Sequence, residues 1–359
     1  MSNRYLQQIK LAELGIKGQE KLQKASVLCV GAGGIGVTLL SYLAGAGVGH
    51  IGIIDDDLID ESNLHRQVLY HEKHIHQSKA IIAKTYLDAL NSKIKVDAYA
   101  FRLTAENAEH LLGEYDLIAD CSDNFYTRYL IHDFCFRLQK PYIYASAYQF
   151  QGHCALFYGK ESPCLHCLFP TIPKAAINCQ DGGVLGTLPG LLGILQATEI
   201  IKWITGIGVS LLNRLLTIDF LTMELKTIHL AKNSECSFCV HGQGLDDEAY
   251  GLCASVNELG SFAVASQSLA EFLRNNGNTL LLDVRTKEEH EQNNIGGILI
   301  PLDELKARLN ELDPLQTILI YCYSGQRSQR AFALLREAGF SFVYHLEKGI
   351  SKLIECSLS

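Results

Sequence analysis

Several groups of residues in this chain have types and spacings that could do chemistry. Gly31, Gly33 and Gly36 in GAGGIG follow a short apolar run and precede a helical pattern. Glycines so spaced let the backbone approach phosphates, and the start of the helix offers unpaired N–H groups. Asp55 ends the next apolar run, where a carboxylate can accept hydrogen bonds from a ribose. Alone, this pattern fits a dinucleotide-binding dehydrogenase, or a turn with no ligand at all. Three further segments favour a triphosphate. SNLHRQ (Ser62–Gln67) supplies an amide and a guanidinium, Lys79 lies in QSKA, and DCSDN (Asp120–Asn124) puts Asp123 just beyond a strand. Cations neutralise phosphate oxygens and a carboxylate holds Mg²⁺, needs that a dehydrogenase does not have. Taken singly, each of these residues reads as a solvated surface charge.

The cysteines form the other candidates. Cys164 and Cys167 make one C-x-x-C pair, and Cys236 and Cys239 make a second. One such pair could be redox-active or accidental; two together suit a closed tetrahedral Zn²⁺ site with a structural role, leaving His166 as a bystander. Cys179 lies in the glycine-rich stretch INCQDGGVLGTLPG, as a nucleophile or as a small core residue. Cys322 ends the run TILIYC and leads through Tyr323-Ser324-Gly325-Gln326-Arg327-Ser328 into a helical pattern. Backbone N–H groups and a helix start there would stabilise a thiolate or persulfide, with Arg327 adding charge; the alternatives are a core cysteine at a strand end and a phosphatase-type anion loop, which is usually one residue longer. Cys29, Cys121, Cys135, Cys154, Cys253 and Cys356 belong to no motif and read as filler.

The elements that must position these groups follow from the pattern. SVLCVG, the glycine turn, an apolar helix to Leu43 and HIGIID open a doubly wound α/β sheet. Further strands are expected at Ile94–Ala100, Leu117–Ala119 and Pro141–Ala145, giving a mainly parallel sheet, with QGHCALFYG as an antiparallel hairpin arm. The apolar stretch Val184–Ile204 contains Gln196, Glu199 and Lys202 and reads as a buried helix rather than a membrane span. Polar residues 233–262 separate a second, smaller α/β unit. It reads as helix 266–275, strand LLLDV, helix 303–311, strand TILIYC and helix 326–338. The boundaries are drawn at 1–245 for the first domain, 246–261 for a linker and 262–359 for the second domain.

Composition narrows the class. The chain of 359 residues is 48% hydrophobic and 19% charged, as a globular protein of two domains would be. Its net charge of −8 argues against nucleic acid as a partner. The opening residues carry charges throughout, so no signal peptide is expected and the location is read as cytoplasmic. There, twelve cysteines imply metal ligands, nucleophiles and filler rather than disulfides.

GAGGIG, IIDDD, SNLHRQ, QSK and DCSDN, in this order, resemble the MoeB/ThiF family of ubiquitin-activating-like adenylyltransferases, over residues 4 to about 240. The resemblance implies ATP over Gly34 and Asp55. Ser62, Asn63, Arg66 and Lys79 would surround the phosphates, and Asp123, beside Asn124, would hold Mg²⁺. It implies zinc on the four cysteines, a homodimer, and attack on the α-phosphate by a carrier protein's C-terminal glycine carboxylate. Arg66 and Asp123 are then the catalytic candidates, with Cys179 as a residue that links to the carrier. One departure stands out. The family's R-Y-x-R-Q segment is RYLQQ here, so Gln7 replaces an arginine that serves the partner subunit's ATP. Either Arg4 compensates or ATP is held less tightly.

Residues 262–359, with LLLDVRT (Asp283, Arg285), GGILIPL and the Cys322 segment, resemble a single rhodanese domain. This implies that Cys322 accepts and passes on a sulfane sulfur, supplied by a donor such as a cysteine desulfurase. The usual G-H-I-P-G segment is Asn293-Asn294-Ile295-Gly296-Gly297 here, expected to matter only locally. Together the two resemblances imply ATP-dependent adenylation of a ThiS- or MoaD-like sulfur carrier ending in Gly-Gly, then thiocarboxylate formation for thiamine, molybdopterin or tRNA thiolation. Two alternatives stand beside it: a tRNA-modifying adenylating dehydratase of the same fold, and a degenerate module that binds a carrier without catalysis.

Overall fold

The structure is a computed structural model and describes residues 3–170, 183–242, 263–264, 269–275, 279–313, 316–338, 340 and 343–351. The chain divides into two compact units, Met1–Gly251 and Leu252–Ser359.

The first unit opens with two helices, α1 (Leu6–Ile9) and α2 (Gly15–Lys24), and Gln7 is exposed on α1. The strand–turn–helix–strand unit then appears as the sequence suggests: β1 (Ser26–Val30), α3 (Gly36–Ala46) and β2 (His50–Ile54). Next come α4 (Lys79–Leu90), β3 (Lys95–Tyr99), α5 (Ala105–Gly113), β4 (Leu117–Asp120), α6 (Phe125–Arg137), β5 (Pro141–Tyr148) and β6 (Gln151–Tyr158). The unit closes with α7 (Leu165–Leu168), α8 (Thr187–Thr205), β7 (Arg214–Asp219) and β8 (Glu224–His229). One eight-stranded sheet runs in the order β3-β2-β1-β4-β5-β6-β7-β8.

This sheet departs from the expected one. The strands from β3 to β5 are parallel, but β5–β6, β6–β7 and β7–β8 are all antiparallel. QGHCALFY forms the expected antiparallel hairpin with β5, and β7 on its other side makes it an interior strand of the same sheet. A hairpin needs only a tight turn, here at Gln149 with φ 52°, so no crossover helix marks the change of direction.

The long apolar stretch is helix α8, with Leu188, Leu192, Ala197 and Ile200 fully or almost fully buried. It crosses α3 closely, because Gly193 has no side chain: a Cβ there would come within 2.1 Å of Thr38 Oγ1 and 2.2 Å of Ile35 O. Among the described residues, no helix is long and apolar enough to cross a membrane.

The second unit holds β9 (Ala263–Val264), α9 (Leu269–Asn275), β10 (Leu280–Asp283), α10 (Lys287–Gln292), β11 (Ile298–Leu299), α11 (Leu302–Leu305), β12 (Ile318–Tyr321), α12 (Gln326–Glu337) and β13 (Val343–Leu346). Its sheet is wholly parallel, in the order β11-β10-β12-β13-β9. Ile318 and Ile320 of β12 belong to one apolar cluster, and Leu319 and Tyr321 to another. A strand covered on both faces reads as a continuous apolar run, and that is why ILIY was legible. The single helix expected at 303–311 is instead α11 followed by a separate 3₁₀ turn, Leu309–Glu311. Helix α10 was not foreseen, although Thr286 and Glu289 form a capping box at its start.

Candidate functional site

The first site forms where β1, β2 and β4 end side by side. Val30 pairs with Ile54 on one flank and with Asp120 on the other, so Gly31, Asp55 and Cys121 emerge together at the carboxyl edge of the sheet. Gly31 has φ 95°, and a Cβ there would lie 2.8 Å from Cys121 O. Only glycine suits both the backbone angle and the space. The start of α3 then points its N–H groups into this edge.

Asp55 is fixed by two backbone donors: Ala32 N–H to Oδ2 at 2.7 Å and Asp57 N–H to Oδ1 at 2.9 Å. Burial pushes its carboxyl up to about 6, opposed by Lys79. Lys79 is the first residue of α4 and is almost buried, with Nζ 2.7 Å from Asp57 Oδ2. It therefore already has a counter-charge, which the sequence did not reveal. Ser62 and Asn63 sit on an exposed 3₁₀ turn capped by Asp60. Arg66 Nη1 donates to Ser62 O at 2.9 Å. A side chain at Gly34 would meet Pro189 Cβ at 3.1 Å and Arg66 Cγ at 3.4 Å, so Arg66 and the start of α8 lie over the glycine turn. Asp123 is exposed beyond β4. Asn124 caps α6, its side-chain oxygen accepting Thr127 N–H at 2.8 Å.

Two groups at this edge were missed in the sequence. Arg128 is buried between the rings of Phe125 and Tyr144, 5.2 and 5.4 Å from their centroids. Its Nη2 donates to Ser122 O at 2.9 Å, while Nε has no hydrogen-bond partner. Asp120 is fully buried; Oδ1 takes bonds from Ser122 N–H and Oγ–H, and Oδ2 has none. Burial raises its carboxyl to about 6, against the pull of Arg128. The signal for Arg128 was its position one helical turn after DCSDN, on the face that returns to the sheet edge.

The second site brings together the two C-x-x-C pairs, 72 residues apart in the chain. Cys164 Sγ lies 3.7 Å from Cys167 Sγ and 3.5 Å from Cys236 Sγ, and Cys167 Sγ lies 3.6 Å from Cys239 Sγ. These separations are far beyond the roughly 2.05 Å of a disulfide. A tetrahedron of sulfurs about 2.3 Å from a central ion has edges of about 3.8 Å, so the set fits one thiophilic metal. The four cysteines could hold such an ion. His166 turns away from them: its Nε2 lies 2.8 Å from Asp133 Oδ1, which also meets His132 Nδ1 at 2.7 Å.

The third site is the loop after β12. Cys322 is fully buried, and its Sγ accepts Gly325 N–H at 3.1 Å and Ser328 N–H at 3.4 Å. The expectation of a thiol facing backbone donors at a helix start thus has its geometry. Arg327 is the expected cation acting on this thiol, and it is itself paired. Its Nη1 and Nη2 each lie 2.6 Å from a carboxylate oxygen of Glu289, which arrives from α10. Asp283 and Arg285 are buried and pair with each other, with His290, partly exposed, on Asp283 and Asn293 on Arg285. Cys179, the remaining candidate, lies outside the described residues, as do Cys253 and Cys356. Cys29, Cys121, Cys135 and Cys154 are buried.

Compared with known proteins, residues 5–238 match the ThiF family. The chain belongs to the ThiF family. Within this ThiF-family chain, residues 266–356 match the rhodanese-like domain. It is an enzyme that joins an adenylyltransferase domain to a rhodanese sulfurtransferase domain. The adenylyltransferase and sulfurtransferase MOCS3-1 of Zea mays is 37% identical, over 95% of this chain and 79% of its own. The probable adenylyltransferase/sulfurtransferase MoeZ of Mycobacterium tuberculosis is 37% identical, over 97% of this chain and 91% of its own. A sulfur carrier protein adenylyltransferase of Thermus thermophilus is 44% identical over 66% of this chain and 90% of its own. Among solved structures, E. coli MccB with ATP superposes with TM-score 0.60 at 26% identity, covering 67% of this chain and 75% of MccB.

Proposed function

We propose that this ThiF-family enzyme uses ATP to adenylate the C-terminal glycine carboxylate of a small ubiquitin-like sulfur carrier of the ThiS or MoaD kind. Its second unit then supplies the sulfur that makes a thiocarboxylate. The observation that carries the proposal is the presence in one chain of a glycine cradle at a sheet edge and of a buried Cys322 thiol ringed by N–H donors. The relatives MOCS3-1 and MoeZ combine the same two activities in their names, and MccB has been solved with ATP and with MccA.

In this reading ATP lies over Gly34 with its ribose on Asp55. Ser62, Asn63, Arg66 and Lys79 surround the phosphates, and Asp123 with Asn124 holds Mg²⁺. The chemistry needs charge cancelled on the incoming carboxylate and on the departing pyrophosphate, and fixed cations do this without a protein nucleophile. Lys79 exchanges Asp57 for a phosphate when the nucleotide enters. The four cysteines hold Zn²⁺, which ties the segment after β6 to the end of the first unit. Cys322 carries the sulfur as a persulfide from a donor such as a cysteine desulfurase, and Cys179 resolves the acyl intermediate. The enzyme works as a homodimer in the cytoplasm, in thiamine, molybdopterin or tRNA-thiolation chemistry.

The test is ATP–pyrophosphate exchange with purified ThiS-like and MoaD-like carriers added one at a time. Exchange that needs one carrier and its terminal glycine is the expected result and names the substrate. Exchange with bulk tRNA instead would transfer the activity to an RNA carboxylate. Absence of exchange with every carrier, in folded metal-loaded protein, would overturn the proposal.

A further inference from the structure

Arg327 is the one cation in the loop from Cys322 to Ser328. A free guanidinium beside a nucleophilic thiol would draw in anionic sulfur donors. Here the guanidinium is held by both oxygens of Glu289, each at 2.6 Å, in the fork geometry that gives such pairs their strength. Glu289 is itself fixed, since Thr286 N–H donates to its Oε2 at 3.0 Å within the capping box of α10. Its carboxyl is held down to about 2, chiefly by the bond to Arg327, so the pair stays ionised at any working pH. Both side chains remain about one-third exposed, at 34% and 32%, so the pair faces incoming solutes. The net result is a cradle of neutral N–H donors around Cys322, flanked by a cation whose charge is offset by the carboxylate paired with it.

We infer that Glu289 is a specificity-determining residue: by clamping Arg327 it makes the Cys322 loop discriminate against dianionic thiosulfate and favour a cysteine persulfide. This rests on the reading of Cys322 as a sulfur acceptor. With thiosulfate, the Cys322 thiolate attacks the outer sulfur, the S–S bond breaks and sulfite leaves with the bonding pair as a dianion. With a persulfide R–S–SH, the thiolate attacks the outer sulfur, R–S⁻ leaves, and Cys322 carries –SH. Both steps balance, but the first brings two negative charges to an anionic nucleophile. It therefore depends on a free cation, and the second does not.

The experiment uses the full-length, metal-loaded protein and compares kcat/KM for thiosulfate and for free cysteine persulfide. Sulfur on Cys322 is followed by the mass it adds. Glu289→Gln keeps a capping-box acceptor while removing the charge. The ratio of kcat/KM for thiosulfate over persulfide is expected to rise about tenfold or more, and to fall back in Glu289→Gln/Arg327→Gln. A ratio that stays put, or a double variant that keeps the gain, overturns the inference. A second readout needs no variant: in the native protein, thiosulfate kcat/KM should be flat or rise as salt is added. A steep fall would reveal a free attracting cation and would equally overturn it. If neither donor loads Cys322 in the native protein, the sulfur-transfer reading itself fails and takes this inference with it; loading by persulfide without the shifts above sinks only the role of Glu289.

Discussion

Replacing Gln196 by leucine should loosen the edge of the sheet that carries the first site. Gln196 is fully buried in α8. Its Nε2 donates to Asp120 O at 2.8 Å and to Ile143 O at 3.0 Å, and its Oε1 accepts Cys121 Sγ–H at 3.2 Å. Leucine fills a similar volume but takes the Gln196 amide from two buried carbonyls and the acceptor from the Cys121 thiol, which keeps Cys29 Sγ at 3.7 Å. Each lost buried bond costs about 1–3 kcal/mol, and a gain in apolar burial offsets part of this, so a net loss of about 2–4 kcal/mol is expected. Trp203, the single tryptophan, lies in the same helix with its ring 5.4 Å from that of Tyr158, so its fluorescence reports on this unit. With a urea slope of about 3 kcal/mol/M, the midpoint should fall by roughly 1 M. Nucleotide affinity should weaken as well, because Asp120 opens the DCSDN turn. Thr198→Ala, on the exposed side of the same helix, is the control and should change stability by no more than about 0.5 kcal/mol. A Gln196→Leu protein within about 0.5 kcal/mol of the native one would refute the reasoning.

Asp120→Asn should stabilise the first unit at neutral pH. The folded carboxyl sits at about 6 against an ordinary 3.8, so folding takes up a proton between these values and stability falls as pH rises through that window. The variant's advantage should reach about 2–3 kcal/mol above pH 6 and fade towards pH 4, and urea midpoints across pH would show a flat difference if this were wrong. Cys164→Ser should take bound metal from one ion per chain to almost none, read by elemental analysis, and retention of a full equivalent would exclude the four-sulfur site. Cys322→Ala should abolish thiocarboxylate formation while leaving carrier-dependent pyrophosphate exchange intact; loss of both would refute the division of labour between the two units.

Much of the site was legible because its signals are contiguous. GAGGIG after an apolar run, C-x-x-C at 164–167 and 236–239, and Cys322 at a strand end are all fixed by neighbours in the chain. Less legible were features that depend on what folds against what. Gln196 looked like an interruption of an apolar stretch, yet it is the polar peg that joins α8 to β4 and β5. Strand β8 leaves little signal in the sequence because it is exposed along its whole length and is held by pairing with β7.

The sequence by itself determined the types and the local order of the reactive groups, since turn glycines, metal-ligand spacings and strand-to-helix turns are properties of a few adjacent residues. Only the tertiary structure decided their charge states and partners. It set Lys79 against Asp57, Arg327 against Glu289, and Asp120 and Arg128 out of water at the sheet edge. The physical reason is that electrostatic pairing and desolvation depend on distances of a few ångströms between segments far apart in the chain, and packing alone sets those distances.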